Sequence, residues 1–128
     1  MIWQVRSKIL IARSRAELYN NRGLAYHYQG DLAAAIDDYS RSLHQLRLAG
    51  SVESMGERMA STRLNRGVAY RDQGLTSAVG AAQRETLCAA AADLQQVVEL
   101  TPDPALVQEA RQHLADVERL LRVQEMTA

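Results

Sequence analysis

The chain contains a ten-residue stretch, Asn21-Arg22-Gly23-Leu24-Ala25-Tyr26-His27-Tyr28-Gln29-Gly30, that occurs a second time. At an offset of 44 residues the sequence reads Asn65-Arg66-Gly67-Val68-Ala69-Tyr70-Arg71-Asp72-Gln73-Gly74, identical at seven of the ten positions. Self-similarity at a fixed period is the signature of a repeat architecture, in which each unit is one supersecondary element. The stretch therefore predicts at least two copies of one such unit.

The composition is that of an ordinary globular domain. The 128 residues are 47% hydrophobic and 23% charged, with a formal net charge of zero, which is usual for soluble chains. No apolar run approaches the length of a membrane span, and basic residues interrupt the N-terminus where a signal peptide would need an apolar segment. The single cysteine, Cys88, cannot form an internal disulfide. We expect one cytoplasmic domain covering residues 1–128, without membrane contact.

Apolar residues recur at spacings of three and four, which predicts amphipathic helices. The first helix should run from Ile2 to Gly30, where glycine ends it. Asp31 follows as the N-cap of a second helix, expected from Leu32 to about Leu48. Because only Gly30 and Asp31 separate them, these two helices should form an antiparallel hairpin.

Three further helices are expected. The third should cover about residues 52–73 and end at Gly74. The Thr101-Pro102-Asp103-Pro104 segment punctuates the chain, with Asp103 as an N-cap for a fifth helix of about residues 104–123. Between them, residues 87–100 have a clear helical pattern, whereas residues 75–85 read as either helix or loop. We favour a long fourth helix that begins near Thr76 or Ser77, because eleven extra residues are almost three helical turns.

The pattern resembles the tetratricopeptide repeat, whose signature is W-x₂-L-G-x₂-Y, then A-x₃-F, then P. The first copy carries Tyr19, Arg22, Gly23, Tyr26, Ala35 and Tyr39, and the second Arg63, Arg66, Gly67, Tyr70, Ala90, Leu94 and Pro102. The resemblance implies an all-α fold of antiparallel helical hairpins, stacked as a short right-handed α-solenoid of about five helices. Repeat 1 would span about residues 2–49, repeat 2 about 52–101, and a capping helix about 104–123. The period of 44 exceeds the family's 34, so longer helices are expected.

Several side chains have structural interpretations. Gly23 and Gly67 should allow a neighbouring helix to approach closely. Arg22 and Arg66 depart from the signature, and we expect their stems to pack while their heads reach solvent. Asp37 and Asp38 should both lie on a solvated face. Cys88 is expected to be a small buried side chain.

The resemblance also implies a concave face between the first helices of the two repeats, where a partner would bind. By the family's geometry its contact residues are Asn20, Asn21, Leu24, His27, Tyr28, Leu64, Asn65, Val68 and Arg71. The asparagines lie where family members hold an extended peptide, and the alternative is a structural hydrogen bond between hairpins. The implied partner is a protein or peptide. Residues 1–30 carry a net charge of +4 and residues 51–75 a net charge of +1, which favours an acidic or neutral partner.

The alternative is an assembly element that pairs with itself or continues a longer solenoid, because nothing in the two-repeat core should cover Ile2, Val5 and Ile9. Other chemistry lacks support in the sequence. No histidine has a second histidine or cysteine at metal-binding spacing, and no hydrolase or metalloprotease motif is present. A chain with zero net charge and a single lysine lacks the clustered basic surface expected of a nucleic-acid-binding protein. We expect a non-catalytic module without cofactor or metal.

Overall fold

A computed structural model describes residues 2–50, 53–77 and 80–127. The described chain consists of five helices joined by short connections, and no strand occurs in these ranges. The helices are α1 (Ile2–Gln29), α2 (Leu32–Leu48), α3 (Glu53–Thr76), α4 (Ala81–Leu100) and α5 (Pro104–Thr127). The expected all-α helical-repeat fold is confirmed.

The junction between α1 and α2 has the predicted chemistry. Gly30 has a φ of +85°, a left-handed conformation that glycine adopts without steric cost. The Asp31 carboxylate accepts a hydrogen bond from the backbone N–H of Ala34 at 3.2 Å, which caps α2. The α1–α2 hairpin is therefore set by two adjacent residues.

The corresponding junction between α3 and α4 differs from the prediction. Gly74 does not end α3, which continues to Thr76, and α4 begins at Ala81 instead of near Thr76 or Ser77. Gly74 lies inside the helix at a point of close packing, since an added Cβ would lie 2.7 Å from Cδ2 of the buried Leu87. Gly80, whose φ is +151°, precedes α4 in a conformation outside the helical region. The expected start of α3 at Val52 lies outside the described residues.

The last helix starts as predicted and runs further. The Asp103 carboxylate accepts a hydrogen bond from the backbone N–H of Ala105 at 3.0 Å, and Pro104 occupies the first helical position. The helix continues to Thr127, beyond the expected end near Val123. It is therefore as long as α3, at 24 residues each.

The helices pack in chain order, and the odd-numbered ones also meet side by side. Each helix lies against the next, while α3 also contacts α1 on one side and α5 on the other. The fifth helix thus stands next to α3 in the way that α3 stands next to α1. One core cluster lies between α3, α4 and α5, and two smaller ones between α1, α2 and α3.

Close helix approach depends on the two repeated glycines. A Cβ added to Gly23 would lie 2.7 Å from Cε1 of Tyr39, and one added to Gly67 would lie 2.9 Å from Cγ of Leu94. Tyr39 and Leu94 are fully buried, so neither can move aside without disturbing its surroundings. The expectation that Gly23 and Gly67 admit a neighbouring helix is confirmed.

The heads of the repeated arginines do not simply reach solvent: each pairs with an aspartate, and the side chain of Arg22 is 52% exposed against 20% for Arg66. The guanidinium of Arg22 donates from Nε and Nη2 to both carboxylate oxygens of Asp38, at 2.6 and 2.8 Å. Arg66 does the same with Asp93, at 2.7 Å for both bonds. Asp38 is also not on the solvated face: it is 1% exposed, whereas Asp37 is exposed as expected.

These two-bond arrangements occur once in each hairpin, between its first and second helix. A buried carboxylate needs such a partner, because leaving the charge unpaired costs several kcal/mol, on the order of 3–5. The Arg22 guanidinium, through hydrogen bonding and charge, holds the pKa of Asp38 below its ordinary value. Each hairpin is therefore locked by one bidentate ion pair.

Candidate functional site

A groove runs between the side-by-side helices α1, α3 and α5. The part near the C-terminal end of α1, which we call the lower part, has a volume of about 280 Å³ and an apolar floor of Leu24, Leu64 and Val68. Tyr28 stands at its margin with 87% of its surface exposed. The full lining of this lower part is Leu24, His27, Tyr28, Leu64, Asn65, Val68, Glu109 and His113.

A second hollow continues the groove toward the N-terminal part of α1. It has a volume of about 230 Å³ and is more polar, with Asn20, Asn21 and Arg58 among its lining residues. The remaining lining residues are Ala16, Glu17, Ser42, Leu46, Ser61 and Thr62. The amide nitrogen of Asn65 donates to the side-chain oxygen of Asn20 at 3.2 Å where the two parts meet.

The sequence-predicted contact residues are thus brought together. Eight of the nine line one of the two hollows, and Arg71 hydrogen-bonds to His113 of the lower one. The two asparagines of the repeated motif are not equivalent, however. Asn21 is exposed, whereas Asn65 is half-buried and bonded across the helices to Asn20.

A chain of charged side chains crosses the lower end of the groove. His27 Nε2 lies 2.8 Å from a carboxylate oxygen of Asp72, and Arg71 donates to the other oxygen of that carboxylate at 2.9 Å. Arg71 also lies 3.9 Å from the Asp116 carboxylate. The positive charge of Arg71 is therefore matched within the protein, by one carboxylate on α3 and a second on α5.

The chain of contacts ends on a neutral histidine. Arg71 Nη1 donates to Nδ1 of His113 at 2.6 Å, and since a guanidinium has no acceptor, Nδ1 must be unprotonated. Burial and then the neighbouring Arg71 charge hold the pKa of His113 below its ordinary value. This contact joins α3 to α5 at the base of the groove.

Sequence reasoning missed the contribution of α5, which was expected only to cap the stack. Glu109 and His113 line the groove, and Asp116 lies next to Arg71. The signal that could have found them is the length of α5, which is enough to lie alongside α3. The groove has three helical walls, and its only acidic lining residue in the lower part is Glu109.

Groups outside the groove offer little convergent chemistry. Cys88 is exposed, so the expectation that it is buried is wrong; it follows the buried Leu87 by one position, which turns it about 100° away on the helix. In the part of the chain that the structure describes, no cluster of three or more His, Cys, Asp or Glu side chains is arranged for a metal ion. No helix of that part is long and apolar enough to cross a membrane.

Comparison with known proteins agrees with the geometry. Residues 16–45, which cover most of α1 and α2, match the family model described as tetratricopeptide repeat. No curated protein and no solved structure matches the chain. Proteins of this repeat family are generally protein-interaction modules and typically non-enzymatic scaffolds. Residues 16–45 thus match one tetratricopeptide repeat, and the repeated glycine motif and the five closely packed helices are consistent with an all-α helical-repeat fold.

Proposed function

We propose that the chain is a non-catalytic module that holds a segment of a partner protein in the groove between α1, α3 and α5. The observation that supports this most is the apolar floor of Leu24, Leu64 and Val68, flanked by the exposed ring of Tyr28. A few well-packed and desolvated contacts, often made by aromatic side chains such as tyrosine, dominate most interfaces, while charges at the rim contribute little. From the second copy of the motif we also propose that about residues 52–101 form the second repeat.

The chemistry of the groove narrows the kind of segment that we propose. Arg71 is matched by Asp72 and Asp116, so its charge gives little support for the acidic partner that the sequence favours. Glu109 contributes a negative charge to the lower hollow, and Arg58 a positive one to the upper hollow. We propose an extended segment with an apolar side chain over Leu64 and Val68 and polar backbone contacts to the asparagines. A cytoplasmic location is part of this proposal, in keeping with the single cysteine.

Affinity capture followed by mass spectrometry tests the groove. The wild-type chain is compared with an Asn21→Ala/Asn65→Ala variant and with a Leu24→Glu/Val68→Glu variant. The control is His44→Glu, at an exposed position on α2 away from the groove. A partner retained by wild type and control but lost from the Leu24→Glu/Val68→Glu variant would support the proposal. Equal retention by all variants would contradict it.

Self-assembly is a second candidate, favoured by the exposed start of α1. Ile2, Trp3 and Val5 are 74%, 69% and 58% exposed, whereas Ile9 packs against the cluster around Ala12 and Leu46. Light scattering over a range of concentrations tests it. A molecular mass that rises with concentration, and falls back in a Trp3→Ser/Val5→Ser variant, would support assembly, and a strict monomer would contradict it.

A further inference from the structure

One side of α1 lacks the covering that the equivalent sides of α3 and α5 have. Within the described residues, α2 packs on α3 and α4 packs on α5, and no helix packs on the corresponding side of α1. We name this side the α1 edge. It consists of residues at spacings of three and four, which share one helical face: Lys8, Ile11, Arg15, Leu18, Arg22 and Ala25.

The 44-residue repeat allows each residue of the α1 edge to be compared with its counterpart on α3. Leu18 is 68% exposed, while its counterpart Thr62 on α3 is 3% exposed. Ala25 is exposed, while its counterpart Ala69 is fully buried against Ala35, Ile36 and Tyr39 of α2. The same positions of the repeat are therefore covered by a helix on α3 and open to solvent on α1.

The hydrogen bonds of the two equivalent arginines, Arg22 and Arg66, show the same difference between α1 and α3. Arg66 uses Nε and Nη2 for Asp93, and its Nη1 donates to the hydroxyl of Ser40 on α2 at 3.2 Å. Arg22 uses the same two nitrogens for Asp38, but within the described residues its Nη1 donates to no acceptor. The side chain of Arg22 is 52% exposed, against 20% for Arg66. Arg22 thus retains the donor that Arg66 directs to the preceding helix.

The charge around the α1 edge is positive. Two adjoining hollows share Arg15: one of about 400 Å³ is lined by Lys8, Ile11, Ala12, Arg15, Gln45 and Leu48, and one of about 370 Å³ by Arg15, Leu18, Tyr19 and Arg22. Neither lining includes an acidic residue, and in the described part of the chain Lys8 and Arg15 form no salt bridge. Two copies that met edge to edge would bring these like charges together, which is unfavourable.

We infer that the α1 edge binds an amphipathic, acidic helix of a partner protein, in the position that α2 holds on α3. Its contact face would carry small or aliphatic side chains over Leu18 and Ala25, as Ala35 and Ile36 do over Ala69. A hydroxyl or carboxylate would accept from Arg22 Nη1, and carboxylates would face Lys8 and Arg15. This site is separate from the groove, so the two can be tested independently.

The chain itself supplies the template for a probe. A synthetic peptide of residues 31–49 presents the face that α2 turns to α3, including Ser40 for Arg22. Replacing Arg47→Glu in the peptide places a carboxylate at the Arg15 end of the edge, because Arg47 lies near Arg63 on α3. A covalent staple between positions 37 and 41, on the outward face, keeps the peptide helical, which short isolated helices otherwise are not.

Fluorescence anisotropy measures binding of this stapled peptide to the full chain at low and high salt. Binding should weaken with salt, since it includes exposed charge pairs. Leu18→Glu in the protein should weaken it at least about tenfold, because an apolar contact is replaced by a charge of the same sign as the peptide. Arg15→Glu should weaken it and reduce the salt dependence. Arg13→Glu, a matched reversal on another side of α1, should change affinity less than about twofold.

Three results would overturn the inference. The first is no binding of a peptide that circular dichroism shows to be helical. The second is equal binding by wild type and by both the Leu18→Glu and Arg15→Glu variants. The third is binding lost through Leu24→Glu/Val68→Glu instead, which would move the peptide to the groove. Because Leu18 and Arg15 are exposed, both variants should keep the wild-type circular dichroism spectrum, which is checked first.

Discussion

Two glycine-to-alanine substitutions in α3, Gly67→Ala and Gly56→Ala, should have opposite effects on stability. Gly67 lies where α4 crosses α3: an added Cβ would be 2.9 Å from Leu94 Cγ, 3.0 Å from Leu94 Cδ2 and 3.3 Å from Asp93 Cβ. Gly56 lies in the same helix near its start, and a Cβ there would meet nothing within 4 Å. Because the substitution and the helix are the same, the difference in stability between the two variants measures the cost of the close approach of α4 to α3.

The sizes of the two effects follow from packing and helix propensity. Alanine is favoured over glycine within a helix by about 0.5–1 kcal/mol, so Gly56→Ala should raise the free energy of unfolding by about 0.5 kcal/mol. At Gly67 the same gain is opposed by overpacking, which typically costs about 1–3 kcal/mol. Leu94 is fully buried within the cluster that includes Leu87 and Val97, which places the cost near the upper end. Gly67→Ala should therefore lower the free energy of unfolding by about 2 kcal/mol.

Urea denaturation followed by circular dichroism provides the measurement. The midpoints of the two variants should shift in opposite directions while the slope stays constant, since neither change alters the surface exposed on unfolding. A Gly67→Ala variant as stable as wild type would refute the argument, because it would mean that α4 can move away from α3 at no cost. A destabilised Gly56→Ala variant would show that the gain in helix propensity has been overestimated.

Four further predictions concern buried polar groups and the cysteine. Asp93→Asn should lower the free energy of unfolding by about 3 kcal/mol, because it leaves Arg66 without its bidentate partner, whereas Asp37→Asn at an exposed position should change it little; urea denaturation compares the two. Tyr39→Phe should leave stability unchanged or raise it by about 1 kcal/mol, since the Tyr39 hydroxyl is buried and has no hydrogen-bond partner in the described chain; a large loss would contradict this. The pKa of Asp38 is lowered in the folded state, so its contribution to stability should be retained above the ordinary value of 3.8 and lost as pH falls below it. The pKa of His113 is lowered too, so stability should also fall as pH drops below 6.5. Denaturation at a series of pH values measures both effects, and His113→Gln should remove the one near 6.5. Cys88 should react with a thiol reagent in the folded protein nearly as fast as in urea, and strong protection in the folded state would contradict its exposure.

Much of the fold follows from local patterns in the sequence. The Gly30-Asp31 junction, the Asp103 cap and the bounds of α2 were predictable because each depends on a few adjacent residues. The close approach at Gly23 and Gly67 was predictable because a glycine that recurs inside a helical pattern marks a point where another element packs against the backbone. The rule that a glycine ends a helix misassigned Gly74, which lies inside α3 and packs against the buried Leu87.

The rest depends on contacts between residues far apart in sequence. Arg22 pairs with a residue 16 positions on and Arg66 with one 27 positions on. The difference equals the eleven extra residues before the fourth helix, and Asp38 and Asp93 each follow the matched alanine, Ala35 or Ala90, by three positions. Only the length of α5 pointed to its role as a wall of the groove, since α5 lacks the repeated motif. The neutralisation of Arg71 by Asp72 and Asp116 follows from that placement, and it changes the kind of partner that we propose.

Site-specific photo-crosslinking tests the central claim most directly. A photoreactive residue is introduced at position 28, beside the groove, and separately at position 44, on the exposed side of α2. The account predicts that a captured partner crosslinks from position 28 and not from position 44, and that Leu24→Glu/Val68→Glu abolishes the product. Equal crosslinking from both positions, or crosslinking from position 28 that persists in the Leu24→Glu/Val68→Glu variant, would contradict binding in the groove.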